Sequence, residues 1–213
     1  MDPIESFATN KYAVIEKMIT PDVCRMVYNY FVLKACTNQE FAEPTAPNLL
    51  FSPAPYLRGC YCDNLAETLL AELEPIIKQV TQKNVAPSYS YSRVYITGEE
   101  LRPHTDRPSC QYSVTLNIGG APWPICFGVH DEKSTDNIYN YELGQEKKVK
   151  KINSVVLNPC DAIVYSGEKL VHWRDPLKDD HCVQVFLHYV DQDDEKYKPY
   201  IYDGRKNIGY LKK

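Results

Sequence analysis

Two stretches in the first half of the chain carry apolar residues at helical spacing. The first begins at Thr20-Pro21, a capping residue followed by proline at the first helical position. Apolar residues then recur three or four positions apart, which places them on one helical face. They are Val23, Met26, Val27, Tyr30 and Phe31. This pattern predicts a helix that packs on a sheet.

The second helical stretch opens at Asn64, with Glu67 three residues later in the manner of a capping box. Its apolar stripe consists of Leu65, Leu69, Leu73, Ile76, Ile77 and Val80. Pro75 lies inside this stripe, and proline removes a helical hydrogen bond. We therefore expect a kink there, or a break into two helices.

Further along, the apolar spacing changes from helical to alternating. In YSRVYIT, residues 91–97, Val94 and Ile96 alternate with aromatic and polar residues, and QYSVTLNI at 111–118 alternates in the same way. Such alternation is typical of strands with one apolar and one polar face. We expect helices on the apolar face and a ligand cavity on the polar face, although a sheet with a solvated face would show the same pattern.

The other segments complete a mainly β chain. Strands are predicted at KYAVIEKMI, ICFGV, KKINSVVL, NPCDAIVYSG and HCVQVFLHYV. Residues 37–60 contain four prolines and form an irregular loop that could border a substrate mouth, and residues 130–148 form a polar excursion. We expect one domain over 1–213, with helical support at about 20–82, a β core at about 88–190 and a surface tail at 191–213.

Composition and charge exclude several classes of protein. Lys and Arg number 24 against 28 Asp and Glu, a net charge of −4, and no basic run suggests nucleic-acid binding. The N-terminus lacks the build of a signal peptide, and no apolar run approaches the roughly 20 residues of a membrane span. These features predict a soluble, cytoplasmic protein without a membrane partner. The eight cysteines include no C-x-x-C pair, which favours reduced, packed thiols over a zinc site.

The strongest chemical signal lies in LRPHTDRPS, residues 101–109. His104 and Asp106 are two positions apart, so in an extended chain both side chains point to one face. A second histidine, His172, follows far downstream in KLVHWRDP. Two imidazoles and one carboxylate form the facial triad of non-haem Fe(II) oxygenases, which leaves coordination positions open for chemistry.

The order of strands around these residues resembles the Fe(II)/2-oxoglutarate dioxygenases, especially their prolyl-hydroxylase-like branch. The resemblance covers about residues 88–190, and it departs at Cys160-Asp161, where relatives often have Gly-Asp. It implies an α+β, mainly β fold, a double-stranded β-helix or jelly-roll core with N-terminal helices packed on one sheet.

The resemblance also implies an activity. Fe(II) would be held by His104, Asp106 and His172, with 2-oxoglutarate and O2 as cosubstrates and ascorbate as an activator in vitro. The substrate would be an amino acid, a small metabolite or a peptidyl side chain such as proline, hydroxylated with release of succinate and CO2. The alternative is a non-catalytic barrel that binds a metal or another ligand. A third hypothesis is a cupin-like isomerase or dioxygenase that needs no 2-oxo acid.

Cosubstrate contacts are also implied by the resemblance. Tyr95 stands nine positions before His104, where relatives often have a tyrosine that touches 2-oxoglutarate. Many relatives place a basic residue nine or ten positions after the distal histidine, but this chain has His181 and Cys182 there.

Another residue should therefore anchor the far carboxylate. Arg174, two positions after His172, is the first choice, Arg93 the second, and Gln184 could add a neutral hydrogen bond. The alternative for Arg174 is a surface pair with Asp175 or Asp161. Tyr91 and Trp173 are candidates for the substrate pocket.

Overall fold

The computed structural model describes residues 2–38, 51–52, 59–142 and 145–209. Most of the proline-rich loop at 37–60 lies outside these residues, so its suggested role at a substrate mouth stays a prediction. The helices are α1 (Pro3–Asn10), α2 (Pro21–Asn38), α3 (Asn64–Glu72) and α4 (Glu74–Thr81).

Twelve strands follow the helices or lie between them. They are β1 (Tyr12–Ile15), β2 (Phe51–Ser52), β3 (Gly59–Tyr61), β4 (Val85–Ile96), β5 (Glu100–His104), β6 (Tyr112–Gly120), β7 (Ile125–His130), β8 (Ile138–Glu142), β9 (Gln145–Val155), β10 (Ala162–Tyr165), β11 (Val171–Arg174) and β12 (His181–Asp191). They form two six-stranded sheets with the orders β1-β10-β6-β12-β4-β3 and β2-β5-β11-β7-β9-β8. All pairings are antiparallel, which confirms the mainly β jelly-roll architecture expected from the sequence.

The helices cover the outer face of the first sheet, as predicted. Val27 and Phe31 of α2 and Ile77 of α4 are buried in one core with the outward-facing apolar residues of β6 and β12. Full burial of a side chain of this size stabilises the fold by roughly 1.5–3 kcal/mol. The helices therefore leave the opposite face of this sheet free to face the second sheet.

The start of α3 differs from its predicted cap. Asp63, not Asn64, is the N-cap, and its side chain accepts a hydrogen bond from the backbone N–H of Leu65 at 2.9 Å. Glu67 does not close a capping box. It is buried and accepts hydrogen bonds from the backbone and the hydroxyl of Ser90 instead. The predicted break before Pro75 is present, because α3 ends at Glu72 and α4 begins at Glu74.

The space between the two sheets is apolar at one end and polar at the other. At the apolar end, Phe127 of the second sheet packs against Tyr165 and Ile163 of the first. The polar excursion at 130–148 contains β8, which pairs with β9 at the edge of the second sheet. None of the helices in the described residues combines the length and hydropathy needed to cross a membrane. All eight cysteines are free thiols.

The C-terminal segment is tied into the fold by a buried ion pair. Arg205 donates to Glu67 at 2.8 Å, and the side chains of both residues are almost fully buried. The same guanidinium donates to the backbone oxygens of Ser88 and Tyr202. The tail was expected to lie on the surface, so this anchoring corrects the sequence-based picture: the segment packs into the protein through buried polar contacts.

We predict that Arg205→Met destabilises the protein by about 3–5 kcal/mol, because it leaves the Glu67 carboxylate buried without its cation. Urea unfolding followed by circular dichroism measures the change. The double variant Glu67→Gln/Arg205→Met should recover part of this loss, since no unpaired charge stays buried. A cost below 1 kcal/mol for the single variant would show that the pair adds little.

Candidate active site

Two neighbouring strands bring the two histidines of the sequence motif together. Strands β5 and β11 pair antiparallel, and His104 lies directly opposite His172 in their register. The ring centroids are 4.3 Å apart, and both residues are buried. Asp106 follows the end of β5 by two residues, so its carboxylate reaches the same point.

The three side chains converge on one point. One carboxylate oxygen of Asp106, Oδ1, lies 3.5 Å from Nε2 of His104 and 3.5 Å from Nε2 of His172. The ligand atoms of all three residues lie within 4.8 Å of one another. This donor set, two imidazoles and a carboxylate on one side of a cavity, suits a non-haem iron with open positions.

Hydrogen bonds orient both imidazoles toward this point. Nδ1 of His104 lies 2.7 Å from the backbone oxygen of Arg102, and Nδ1 of His172 lies 3.0 Å from that of Leu170. Because a carbonyl only accepts, each Nδ1 carries the proton and donates it. In the neutral imidazole, each Nε2 then presents its lone pair to the convergence point, which is the tautomer that a metal ligand needs.

The Asp106 carboxylate is held ionised and in place. Burial by itself would raise the pKa of Asp106, but the positive charge and the hydrogen bonds of His172 and His104 in their protonated forms outweigh burial and hold that pKa well below its ordinary range. The Ser113 hydroxyl donates to the second oxygen of Asp106 at 2.8 Å. Gly167 leaves room for this arrangement, because a Cβ there would lie 2.3 Å from the same oxygen.

A second group of possible ligands shares Asp106 and adds Cys110 and His188. The Ser113 hydroxyl already lies between Asp106 and Nδ1 of His188, 3.0 Å from the latter. Burial and the charge of Asp106 also raise the pKa of the Cys110 thiol well above its ordinary value, which disfavours the thiolate that binds metals. The group of His104, Asp106 and His172 is therefore the better metal site.

His188 instead has a fixed neutral form. Burial lowers the pKa of His188 to about 4. Ser113 gives its single proton to Asp106, so Nδ1 of His188 must donate to the Ser113 oxygen. Nε2 is then an acceptor, and His188 is one of the residues that line the cavity beside the metal ligands.

A cavity of about 430 Å³ opens over the three ligands, and most of its other lining residues are aromatic. These residues are Tyr61, Tyr89, Tyr91, Tyr95, Tyr165 and Phe186. The rings of Tyr61 and Tyr89 lie 5.1 Å apart, and the ring of Tyr165 lies 4.8 Å from that of His172. Such a cavity can exclude water from a metal while presenting a few hydroxyl groups to a bound molecule.

Arg174 lies in the interior, not at the surface. Its side chain is fully buried, and its guanidinium lies over the ring of Trp123, whose backbone oxygen accepts one of its hydrogen bonds. Neither Asp175 nor Asp161 forms an ion pair with it among the described residues, so the surface pairing considered from the sequence is not present. Two of its nitrogens, Nε and Nη2, have no hydrogen-bond partner in the part of the chain that the structure describes.

The other three residues suggested for the cosubstrate have different surroundings. Arg93 is buried and donates to Glu99 at 2.9 Å, which supplies it with an internal counter-charge. Gln184 is buried, and its amide nitrogen donates to Asn117 at 3.0 Å while its oxygen has no partner. Tyr95 is buried with its ring against Trp123, 4.7 Å between centroids, and it lines the cavity.

Of the two residues suggested for the substrate pocket, one lines the cavity and the other does not. Tyr91 lines the cavity and stacks against Phe186. Trp173 does not line this cavity, contrary to the sequence-based expectation. It follows His172 directly, so its side chain points to the opposite face of β11, where it packs with Cys126 and Val149.

Several residues of the site were not singled out from the sequence. For Ser113 and Tyr165 the sequence predicts only that they lie in strands, although Ser113 falls on the polar face of the alternating segment QYSVTLNI. Arg107 lines the cavity directly after Asp106, and nothing in its local sequence distinguishes it from a solvated arginine. Alternation could therefore have indicated Ser113, whereas Arg107 required the three-dimensional structure.

Comparison with solved structures places this geometry in a known fold. The carbocyclase SnoK from nogalamycin biosynthesis superposes with a TM-score of 0.64 at 10% identity, over 89% of this chain and 83% of its own. HygX from Streptomyces hygroscopicus, solved with nickel and 2-oxoglutarate bound, gives 0.59 at 10% identity over 89% and 86%. A prolyl hydroxylase from Trichoplax adhaerens, solved with a hypoxia inducible factor peptide, gives 0.56 at 12% identity over 89% and 88%.

The chain has the fold of the Fe(II)- and 2-oxoglutarate-dependent oxygenases. This confirms the resemblance drawn from the sequence at the level of the fold. No family model and no curated protein sequence matches the chain. Because these oxygenase structures include a carbocyclase as well as a hydroxylase, the shared fold does not by itself specify the reaction.

We predict that Asp106→Ala weakens metal binding by more than about 100-fold. Losing a residue that only hydrogen-bonds a metal ligand typically weakens binding by roughly 10- to 100-fold, and Asp106 is a candidate ligand itself. The variant removes the only charged member of the ligand set, and Mn(II) binding followed by electron paramagnetic resonance measures the loss. Asp179→Ala, an exposed carboxylate far along the chain, is the matched control and should bind Mn(II) like the wild type. Wild-type affinity in Asp106→Ala would overturn the ligand assignment.

Proposed function

We propose that this protein is an Fe(II)- and 2-oxoglutarate-dependent oxygenase that hydroxylates an unactivated C–H bond, with release of succinate and CO2. The substrate would be an amino acid, a small metabolite or a peptidyl side chain such as proline. The observation that carries the proposal is the combination of the three converging ligands with a buried arginine, Arg174, that has no carboxylate partner among the described residues.

Arg174 differs from the other arginines in the described part of the chain. Each of those has a carboxylate within ion-pair distance, and the pairs are Arg25–Asp22, Arg93–Glu99, Arg102–Glu100, Arg107–Asp203 and Arg205–Glu67. Burial lowers the pKa of Arg174, because the protein interior disfavours its charge. A buried guanidinium with two unused nitrogens costs free energy unless an anion binds it, which supports a carboxylate ligand here.

The position of Arg174 suits the far end of a dicarboxylic acid. It follows His172 by two residues on β11, so both side chains point between the sheets. Arg174 does not line the cavity itself, but Tyr95 and Tyr165, whose hydroxyl groups are among its electrostatic neighbours, do. A 2-oxo acid bound at the metal would extend past these tyrosines to reach the guanidinium, and we expect their side chains to shift as it binds.

The residues of this chain would divide the remaining tasks. Bound iron would supply oxidation of a C–H bond by O2 with decarboxylation of 2-oxoglutarate. His104, Asp106 and His172 would hold the metal on one side, and Ser113 would keep the carboxylate of Asp106 oriented. The aromatic lining would exclude water and position the substrate, while Nε2 of His188 could accept a hydrogen bond from it.

Hydroxylation, or a related oxidation such as desaturation, is proposed over halogenation for a specific reason. In relatives that halogenate, a small residue replaces the carboxylate ligand and opens a position for chloride, whereas Asp106 keeps that position filled in this chain. The Trichoplax prolyl hydroxylase, solved with a peptide, supports a peptidyl side chain as one substrate class to test.

The test is formation of succinate from 2-oxoglutarate with Fe(II), ascorbate and O2, across a panel of free amino acids and proline-containing peptides. We expect stimulation of succinate formation by one class and a product heavier by one oxygen atom. Metal and 2-oxoglutarate binding without any succinate would favour the non-catalytic, ligand-binding alternative. Absence of 2-oxoglutarate binding would refute the proposal.

We predict that Arg174→Leu raises the apparent KM for 2-oxoglutarate by roughly tenfold or more, since hydrogen bonds to a charged group contribute about 1.5–3 kcal/mol. Steady-state succinate formation at varied 2-oxoglutarate measures this change, and Mn(II) binding should stay at the wild-type level. Arg93→Leu is the comparison variant, because its partner Glu99 already neutralises it. An unchanged KM in Arg174→Leu with a large rise in Arg93→Leu would assign the anchor to Arg93.

A further inference from the structure

A carboxylate near the C-terminal end of the described chain is buried against the cavity wall. Asp203 is only 4% exposed. It accepts two hydrogen bonds from the Arg107 guanidinium, both at 3.0 Å, and a third from the Ser109 hydroxyl at 2.8 Å. The phenol of Tyr61 donates a fourth. Burial by itself would raise the pKa of Asp203. The hydrogen bonds from Arg107, Tyr61 and Ser109, together with the charge of Arg107, outweigh burial and hold this pKa at about 2.

The donors to Asp203 come from two separate parts of the chain. Arg107 directly follows the metal ligand Asp106, and Ser109 lies in the short helical turn Pro108–Cys110 of the same loop. Tyr61 belongs to β3, at the edge of the first sheet. One carboxylate therefore connects the loop that carries a metal ligand to β3, the edge strand of the first sheet.

The aromatic lining strengthens this connection. The Arg107 guanidinium lies over the ring of Tyr89, 4.6 Å from its centroid, and the Tyr61 ring lies 5.1 Å from the same ring. All three residues line the cavity. Asp203 thus holds Arg107 and Tyr61, which both contact Tyr89, and a change at Asp203 would alter the positions of residues that line the cavity.

The backbone at Asp203 is in an uncommon conformation. Tyr202 and Asp203 have φ values of 54° and 53°, in the left-handed region that residues with side chains rarely adopt. Two successive residues of this kind persist only where surrounding contacts over-determine them. Asp203 on one side and the buried Arg205–Glu67 pair on the other provide those contacts.

We propose that Asp203 is a positioning residue of the candidate metal centre: it acts through Arg107 and Ser109 to hold the loop that presents Asp106. The inference rests on the proposed function, since it assumes that Asp106 binds the metal. The C-terminal segment Lys198–Gly204 then positions a metal ligand, although it contributes no ligand of its own.

The test is Mn(II) binding to Asp203→Asn, measured by electron paramagnetic resonance at a temperature well below the unfolding transition. Asparagine keeps the shape of the side chain but removes the charge that holds Arg107. We expect affinity for Mn(II) to fall about tenfold, the lower end of the effect of losing an outer partner of a ligand. Glu195→Gln removes one exposed charge three residues before this segment, and it should bind Mn(II) like the wild type.

A second variant covers the case in which Asp203→Asn does not fold. Ser109→Ala removes one donor and leaves the ion pair intact, so it should fold and lose Mn(II) affinity in the same direction by a smaller factor. A merely structural contact would lower the melting temperature of either variant and leave the Mn(II) affinity of the folded protein unchanged. That result would overturn the inference.

The two proposals fail in different ways. If the wild type binds no Mn(II), the metal centre is wrong, and the proposed function and this inference fail together. If the wild type binds Mn(II) and produces succinate, while the folded variants Asp203→Asn and Ser109→Ala bind Mn(II) equally well, only the positioning role of Asp203 is lost.

Discussion

The pairing of β5 with β11 is the constraint on which the rest of the site depends. It places His104 opposite His172 on one face of the sheet, and a slip of one residue between the two strands would put the two imidazoles on opposite faces, because strand side chains alternate between faces. Their tautomers depend on the same strands, since each Nδ1 donates to a backbone oxygen two residues earlier in the chain. The register of two strands thus sets both the direction and the protonation of two ligands.

A site of this kind requires a stable scaffold, because its polar groups weaken the interior. Arg174 and Gln184 are both buried with polar atoms that have no hydrogen-bond partner in the described part of the chain, and an unsatisfied polar group of this kind costs about 1–3 kcal/mol. The large apolar core under the helices lies on the other side of the first sheet, away from these groups. Separating the two faces lets apolar burial stabilise the fold without filling the cavity.

A structural feature of this protein can be predicted from the sequence when the residues that determine it lie close together in the chain. Local patterns indicated α2, the break at Pro75 and the meeting of His104 with Asp106, because spacing along one element decides them. The cap at Asp63 was missed since two adjacent residues, Asp63 and Asn64, can both cap a helix. The partners of Asp203 and Arg205 could not be predicted, because they lie about 90 to 140 residues away in the chain.

The same long-range contacts decide which carboxylate pairs with which arginine near the site. Arg107 is adjacent to Asp106 in sequence, and an arginine without a partner could compete with iron for that carboxylate. Asp203 occupies two of its N–H groups in a paired geometry, which leaves Asp106 to the two imidazoles and Ser113. Glu99 does the same for Arg93. Among the described residues, Arg174 differs from these cations, because it is buried without a carboxylate partner and two of its nitrogens have no hydrogen bond.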